Sequence, residues 1–378
     1  MINLDNCLYW DNFVSYYEQG CLYHLTKWYD VIKRCYAHGV YCLVAQKQDD
    51  DKQEESINKE SQITKQNFDN QTYFDCIVGI LPLIHINHRF FGNSLVSVPF
   101  FDSGGILNIN TMVEKIILDK AINLADKLGV ELIEIRQNYS LLSNFKYPNI
   151  DIQTGWNLSV STNKVRMVLD IPDNPEFLLK SFNSKLRSQI RKPIKEGLIA
   201  KIGGIELIDD FYNVFAENMR DLGSPVHSKK FIAETLKAFP STANIFIVYG
   251  NQKPLGGSVT IGFKDTLSNP WASSLRRYSH LAPNMLLYWS MLEFACQQGY
   301  KRFDFGRSTP GEGTYKFKEQ WGAKPEPLYW YRLSKTSDRG WGSQPDKNKM
   351  IKAIEYWKKL PVPLTKIIGP RIRKYISL

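Results

Sequence analysis

From residue 74 to 86 the run FDCIVGILPLIHI is apolar or β-branched at nearly every position, which predicts a strand buried on both faces. VYCLVAQ (40–46) has the same character, and together the two runs predict a strand pair. Between them, KQDDDKQEESINKESQITKQNFDNQ (47–71) offers only Ile57, Ile63 and Phe68 as apolar residues. So little apolar surface cannot offset the entropy of ordering, so a disordered insertion in a hairpin loop is expected there. Further on, Val113, Ile116, Ile117, Leu124 and Leu128 recur at helical spacing behind a Thr111/Glu114 capping box. Gly129 stops that helix in a left-handed cap, and VELIEIR (130–136) reads as a buried strand.

The same order returns about 170 residues later. ADKLGVELIEI (125–135) aligns with ACQQGYKRFDF (295–305), pairing Glu134 with Asp304 and Gly129 with Gly299. Upstream, ANIFIVYG (243–250) and KPLGGSVTIGF (253–263) repeat the first hairpin without its insertion. A tandem duplication of one α/β domain accounts for both. The expected division is residues 1–160 and 161–335, with the boundary in TGWNLSVSTNK (154–164), and a basic tail over 336–378.

Length agrees, since 378 residues suit two domains of roughly 150 residues each. No run approaches the ~20 apolar residues of a membrane-spanning helix, and the N-terminus lacks a secretory pattern. The six cysteines are scattered, so buried reduced thiols are expected and no metal site is read. A cytoplasmic protein follows, with the inner face of the membrane left open by its charge. Residues 335–378 carry eleven Lys/Arg against three Asp/Glu, and residues 180–201 carry seven against one. Such patches attract phosphates, on nucleic acid, lipid or a nucleotide-linked substrate. The tail either lies on an anionic membrane or packs on the second domain and offers its lysines to a phosphate. Pro361, Pro363 and Pro370 break a long amphipathic helix and favour packing.

Candidate chemistry concentrates in KRFDFGRSTPGEGTYKFKEQWGAKPEPLYWYRL (301–333). A strand runs into a turn holding Gly306, Pro310, Gly311 and Gly313, then a short helix, then a closing strand PLYWYRL. Backbone N–H groups converging there, with Arg307, Lys316 and Lys318 beside them, suit an anion or oxyanion. An ordinary connection with solvated lysines suits the same pattern. No GxSxG or GK[ST] motif is present.

Phe317-Lys318-Glu319-Gln320-Trp321-Gly322, following Asp304-Phe305-Gly306-Arg307, resembles the C-terminal signature of the Fem ligase family, within the GNAT acyltransferase superfamily. SKLRSQIRKPIKEGL (184–198), SLVSVPFFDSGGI (94–106), YHLTKWYDVI (23–32) and KLPVPLTKIIGPRIRKYI (359–376) are similar to FemAB-related proteins of exopolysaccharide and exosortase systems. The resemblance implies two tandem GNAT-like domains, each a mixed twisted sheet flanked by helices. It also implies transfer of an aminoacyl group to an amine of a cell-envelope or exopolysaccharide precursor. Lys318, beside Phe317, would stabilise charge on the transferred carbonyl, with Arg307 and the Gly311–Gly313 backbone assisting. Arg187, Arg191 and Lys192 would contact donor or acceptor phosphates. Asp304 is a candidate base, or a structural residue shared with Glu134, and Tyr315 a candidate hydrogen-bond donor. Trp28, Asp102 and Trp321 are further candidate substrate contacts. Asp102 precedes the Gly104-Gly105 turn where the family places an acid after it, and Pro193 is expected to kink or end its helix.

A CoA-dependent enzyme would carry a Q/R-x-x-G-x-G/A turn before the helix near Asn284. SHLAPN (279–284) has no glycine. Aminoacyl-tRNA is therefore the expected donor ahead of acyl-CoA, with no tightly bound cofactor. A CoA-dependent N-acyltransferase and a non-catalytic binding factor in exopolysaccharide export are the other readings.

Overall fold

The computed structural model describes residues 7–47, 77–141, 155–335 and 347–377. Two mixed sheets form the frame. The first holds β1 (Gly39–Gln46), β2 (Ile77–His88), β3 (Gly92–Val96), β4 (Leu107–Asn108), β5 (Leu132–Gln137) and β6 (Trp156–Ser161). The second holds β7 (Val165–Asp170), β8 (Ile199–Gly203), β9 (Ala243–Gly250), β10 (Lys253–Phe263), β11 (Thr266–Ser274), β12 (Arg302–Ser308) and β13 (Lys324–Pro327). The last strand, β14 (Tyr329–Lys335), returns to the first sheet. Their orders are β1-β2-β3-β5-β14-β6, with β4 on β2, and β13-β7-β12-β11-β10-β9-β8.

Helices α1 (Cys7–Tyr16), α2 (Lys27–Tyr36) and α3 (Thr111–Lys127) accompany the first sheet. The second carries α4 (Pro175–Ser181), α5 (Ser184–Lys195), α6 (Ile208–Asp221), α7 (Lys229–Ala238), α8 (Pro283–Gln297) and α9 (Gly313–Glu319). The tail forms α10 (Lys347–Lys358) and α11 (Val362–Arg373). None of these helices is long and apolar enough to cross a membrane, among the described residues.

The expected hairpin forms, with β1 and β2 antiparallel from Gly39↔His85 to Gln46↔Ile77. Apart from Lys47, the polar insertion lies outside the described residues. The duplicated helix–Gly–strand unit forms twice. α3 and α8 each run into a left-handed glycine, Gly129 at φ +62° and Gly299 at φ +76°, then into β5 and β12. Glu134 and Asp304 take matching places, each opposite the parallel neighbour strand at Val96 and Ser268. The cap of α3 differs from expectation: Asn110, in extended conformation, accepts from Val113 N, so Thr111 is already the first helical residue. Pro193 does not stop α5 at once, because it sits in the last turn and the helix runs on to Lys195.

PLYWYRL does not close the second sheet. β14 lies antiparallel between β5 and β6, whereas β7 takes the corresponding place between β12 and β13. The chain thus crosses between sheets twice, at 162–164 and again at Leu328, and Leu328 N donates to Lys164 O at 3.1 Å where the crossings pass. A core shared by both halves seals the junction, with Trp28 and Phe101 among Phe231, Phe239 and Trp271.

Beside the crossing lies a buried charge cluster. Glu134 accepts from Arg136 and, across the strand pair, from Arg332 at 2.9 Å. Burial pushes the Glu134 carboxyl up, but the two guanidiniums outweigh it and hold it below the usual carboxylate range. Its ionised form therefore adds stability that is present above that range and lost as pH falls through the lowered value. Glu134→Gln leaves the fully buried Arg136 uncompensated and is expected to cost about 3–5 kcal/mol, read by urea unfolding at neutral pH.

Candidate functional site

Parallel strands β11 and β12 pair only over Thr266–Ser268 and Arg302–Asp304, then diverge. Ligands bind where neighbouring parallel strands part, because the backbone groups there lose their ladder partners and the chain opens outward. A cavity of about 350 Å³ occupies the gap, bounded by Asn269–Ala272 on one strand and Asp304–Arg307 on the other. The first half of the chain supplies Tyr23 and Phe100–Asp102, and α11 supplies Arg373.

Like Arg373 from α11, Lys318 is a buried cation of this gap, at 7% exposure. α9 follows the Gly/Pro turn so closely that its side chain reaches back over β12, where Nζ donates to Gly306 O at 3.0 Å and Arg307 O at 2.8 Å. An ammonium has three donors, so one N–H is left for the cavity. Burial pulls its pKa down to about 8, against the opposing fields of Asp304 and Asp102. Asp304 is buried, accepts from Gly306 N at 2.8 Å and lies 3.6 Å from Arg166. Burial raises its pKa, and Arg166 restrains the rise. Arg307 pairs with Asp102 at 3.0 Å and stacks on Trp330, whose Nε1 donates to Asp102 O. Asp102 is thus delivered from the first half of the chain and fixed by residues of the second.

The equivalent gap between β3 and β5 is filled. Ser97 N continues the ladder to Glu134 O, and Gln137 Nε2 donates to Ile106 O at 2.8 Å. Gly105 lies so close that a Cβ there would stand 2.8 Å from Arg136 O, which only glycine tolerates. The loop over 97–106 therefore plugs the first gap, while its residues 100–102 wall the second.

Residues 180–319 match the family described as acetyltransferase (GNAT) domain. The chain is similar in structure to FemX, at 14% identity and a TM-score of 0.62, over 87% of this chain and 96% of that one. It is also similar to the C-terminal domain of a putative lysylphosphatidylglycerol synthetase from Agrobacterium fabrum, at 11% identity and TM-score 0.53 over 94% and 96%. A conserved protein of unknown function from Bacteroides thetaiotaomicron follows at 10% identity and TM-score 0.54 over 88% and 98%. No curated protein matches the sequence. The chain folds as two tandem GNAT-type domains.

The structure brings together four of the sequence candidates, Lys318, Arg307, Asp304 and Asp102, at the second GNAT gap. It places the others elsewhere. Trp28 is fully buried in the shared core, and its Nε1 donates to Leu22 O. Trp321 is fully buried beneath α9, where it meets Phe182 and Phe317. Phe317 packs on Tyr288, and Tyr315 faces the second-domain core, so Thr314 lines the cavity in its place. Gly311 and Gly313 are exposed with no atom near their Cβ positions. Arg187 ties down the preceding turn through Phe182 O, and Arg191 and Lys192 lie exposed on α5, outside the cavity lining. Tyr23, His227 and Arg373 also line the cavity; Tyr23 and Arg373 lie in the family-like stretches 23–32 and 359–376, but neither was singled out there, and tertiary packing brings all three in from distant positions.

Proposed function

We propose that the protein is a Fem-like acyltransferase that forms an amide at the second-domain gap. Lys318 carries this reading: a buried ammonium, anchored on two backbone carbonyls, with one donor left for a group in the cavity. In the reaction an acceptor amine attacks the carbonyl carbon of an ester donor. The C–N bond forms, the carbonyl oxygen takes negative charge, and the C–O bond then breaks to release an alcohol. A fixed cation at that oxygen lowers the barrier most where water is excluded. Asp102, reachable from the cavity and held in place by Arg307, receives the amine proton and returns it to the leaving oxygen as the C–O bond breaks. Asp304 acts through its field, keeping Lys318 charged.

Aminoacyl-tRNA is the proposed donor. Before α8, where a CoA pyrophosphate would need converging amides, the chain makes a tight turn over Arg276–Leu281 and then Pro283, which has no N–H. The acceptor is an amine on a cell-envelope or exopolysaccharide precursor, as the likeness to FemAB-related proteins suggests. The test is retention of bulk aminoacyl-tRNA by the purified protein at moderate salt, with acetyl-CoA as competitor. Retention that needs the aminoacyl group and survives CoA is expected. Displacement by CoA, or equal retention of bare tRNA, overturns the tRNA donor.

A further inference from the structure

The tail packs with one face and leaves the other bare. α10 and α11 both lie on the α6 side: Ile354 meets Gly223, Arg220 Nη1 donates to Leu360 O, and Lys366 Nζ donates to Asn213 at 2.6 Å. On α11 the inward stripe is Thr365, Gly369 and Arg373, four residues apart, with Gly369 against Val226. The opposite stripe is Leu364, Ile367 and Arg371, and Ile367 is 59% exposed. On α10 the corresponding outward stripe is Lys352 and Tyr356, continued by Lys359 just past the helix end, with Tyr356 72% exposed. One acid, Glu355, stands beside it and is already paired with Lys358 at 2.9 Å.

A helix that only meets water keeps its outer face polar. Aliphatic and aromatic side chains set among cations are the pattern of a helix lying in a membrane interface. We propose that the outer face of α10–α11 docks on an anionic lipid bilayer. Lys352, Lys359 and Arg371 meet the headgroup phosphates, and Tyr356, Leu364 and Ile367 enter the boundary of the acyl region. A nucleic acid would satisfy the cations but leave Leu364 and Ile367 in water, which favours lipid. Arg373 projects from the opposite side of α11 into the cavity, so docking sets the cavity about one helix diameter, ~10 Å, above the lipid plane.

The surface is independent of the acyl-transfer reading, and its test needs no turnover. The full chain is sedimented with vesicles of phosphatidylcholine alone or with about a third phosphatidylglycerol. Binding to the anionic vesicles is expected to be more than ~10-fold tighter, since each surface cation adds about five-fold, and to weaken in high salt. Leu364→Glu/Ile367→Glu is expected to lower it about 10-fold with an unchanged melting temperature. Should that pair unfold the tail, Lys352→Glu/Lys359→Glu, on α10 and just past its end, is the second variant, with the same loss expected. Equal binding to both vesicles overturns the proposal, as do folded variants that bind lipid normally or that lose tRNA binding instead. Transfer to a soluble amine is expected to survive both pairs, so a failure here is separable from a failure of the acyltransferase reading.

Discussion

Lys318→Met is expected to abolish most activity, lowering kcat by about 10²–10³, while the protein stays folded. The loss falls on kcat because the ammonium meets the carbonyl oxygen most strongly once that oxygen is charged. The fold is expected to survive because methionine nearly matches the aliphatic stem and Asp304 keeps Arg166 as its partner, the loss of a donor to Gly306 O and Arg307 O costing about 1–3 kcal/mol. Single-turnover rates with aminoacyl-tRNA, alongside thermal unfolding, separate the two effects. A folded Lys318→Met protein with wild-type kcat would remove the cation from the mechanism. The pH profile gives a second check. The lysine's pKa is lowered to about 8, so its charged form dominates below that value. Activity should fall as pH rises through about 8, and Lys318→Arg should carry that limb out of range, because arginine stays charged.

Leu333→Ala is expected to destabilise the whole chain by about 2–5 kcal/mol, although the residue lies at the end of the second half in sequence and packs in the first sheet. Leu333 is 1% exposed on β14, pairs with Ile133 and Leu158, and fills the core of the first sheet. Because β14 stands inside the first sheet, between β5 and β6, while the chain that leads into it, β7–β13, forms the second, the first sheet cannot lose this strand without pulling on the end of the second. Calorimetry should give a single transition whose midpoint falls, rather than two transitions of which one moves. Two separate transitions would mean that the crossings do not couple the halves.

The repeat and its elements were legible because they rest on local rules: β-branched runs, helical spacing and a glycine at each helix end. The strand crossing was not. PLYWYRL has the pattern of an inner strand, and nothing in that pattern says which of two similar sheets it enters. At the site, Lys318, Arg307 and Asp304 were readable since one turn holds them together, and Asp102 through its own loop. Trp28 and Trp321 were candidate substrate contacts because aromatic residues suit both a groove and a core, and both are core. Tyr23 and Arg373 lie in stretches whose likeness was visible, but nothing in those stretches, or around His227, marks these residues, since each reaches the cavity only through packing between distant segments. The basic run on α5 was visible as charge, but its outward direction depends on which face Leu186 and Ile190 bury.

The loop over 97–106 serves both halves of the duplication at once. Its later residues stop the first gap, and residues 100–102 between its ends complete the second. What fills the first gap is therefore tied, through three residues of chain, to what walls the second. Any change that reopened the first gap, by withdrawing Gly105 from Arg136 or Ile106 from Gln137, would pull Asp102 away from Arg307. The first half is thus a structural part of the second gap, and substitutions in its loop should disturb the cavity as much as substitutions around Lys318 itself.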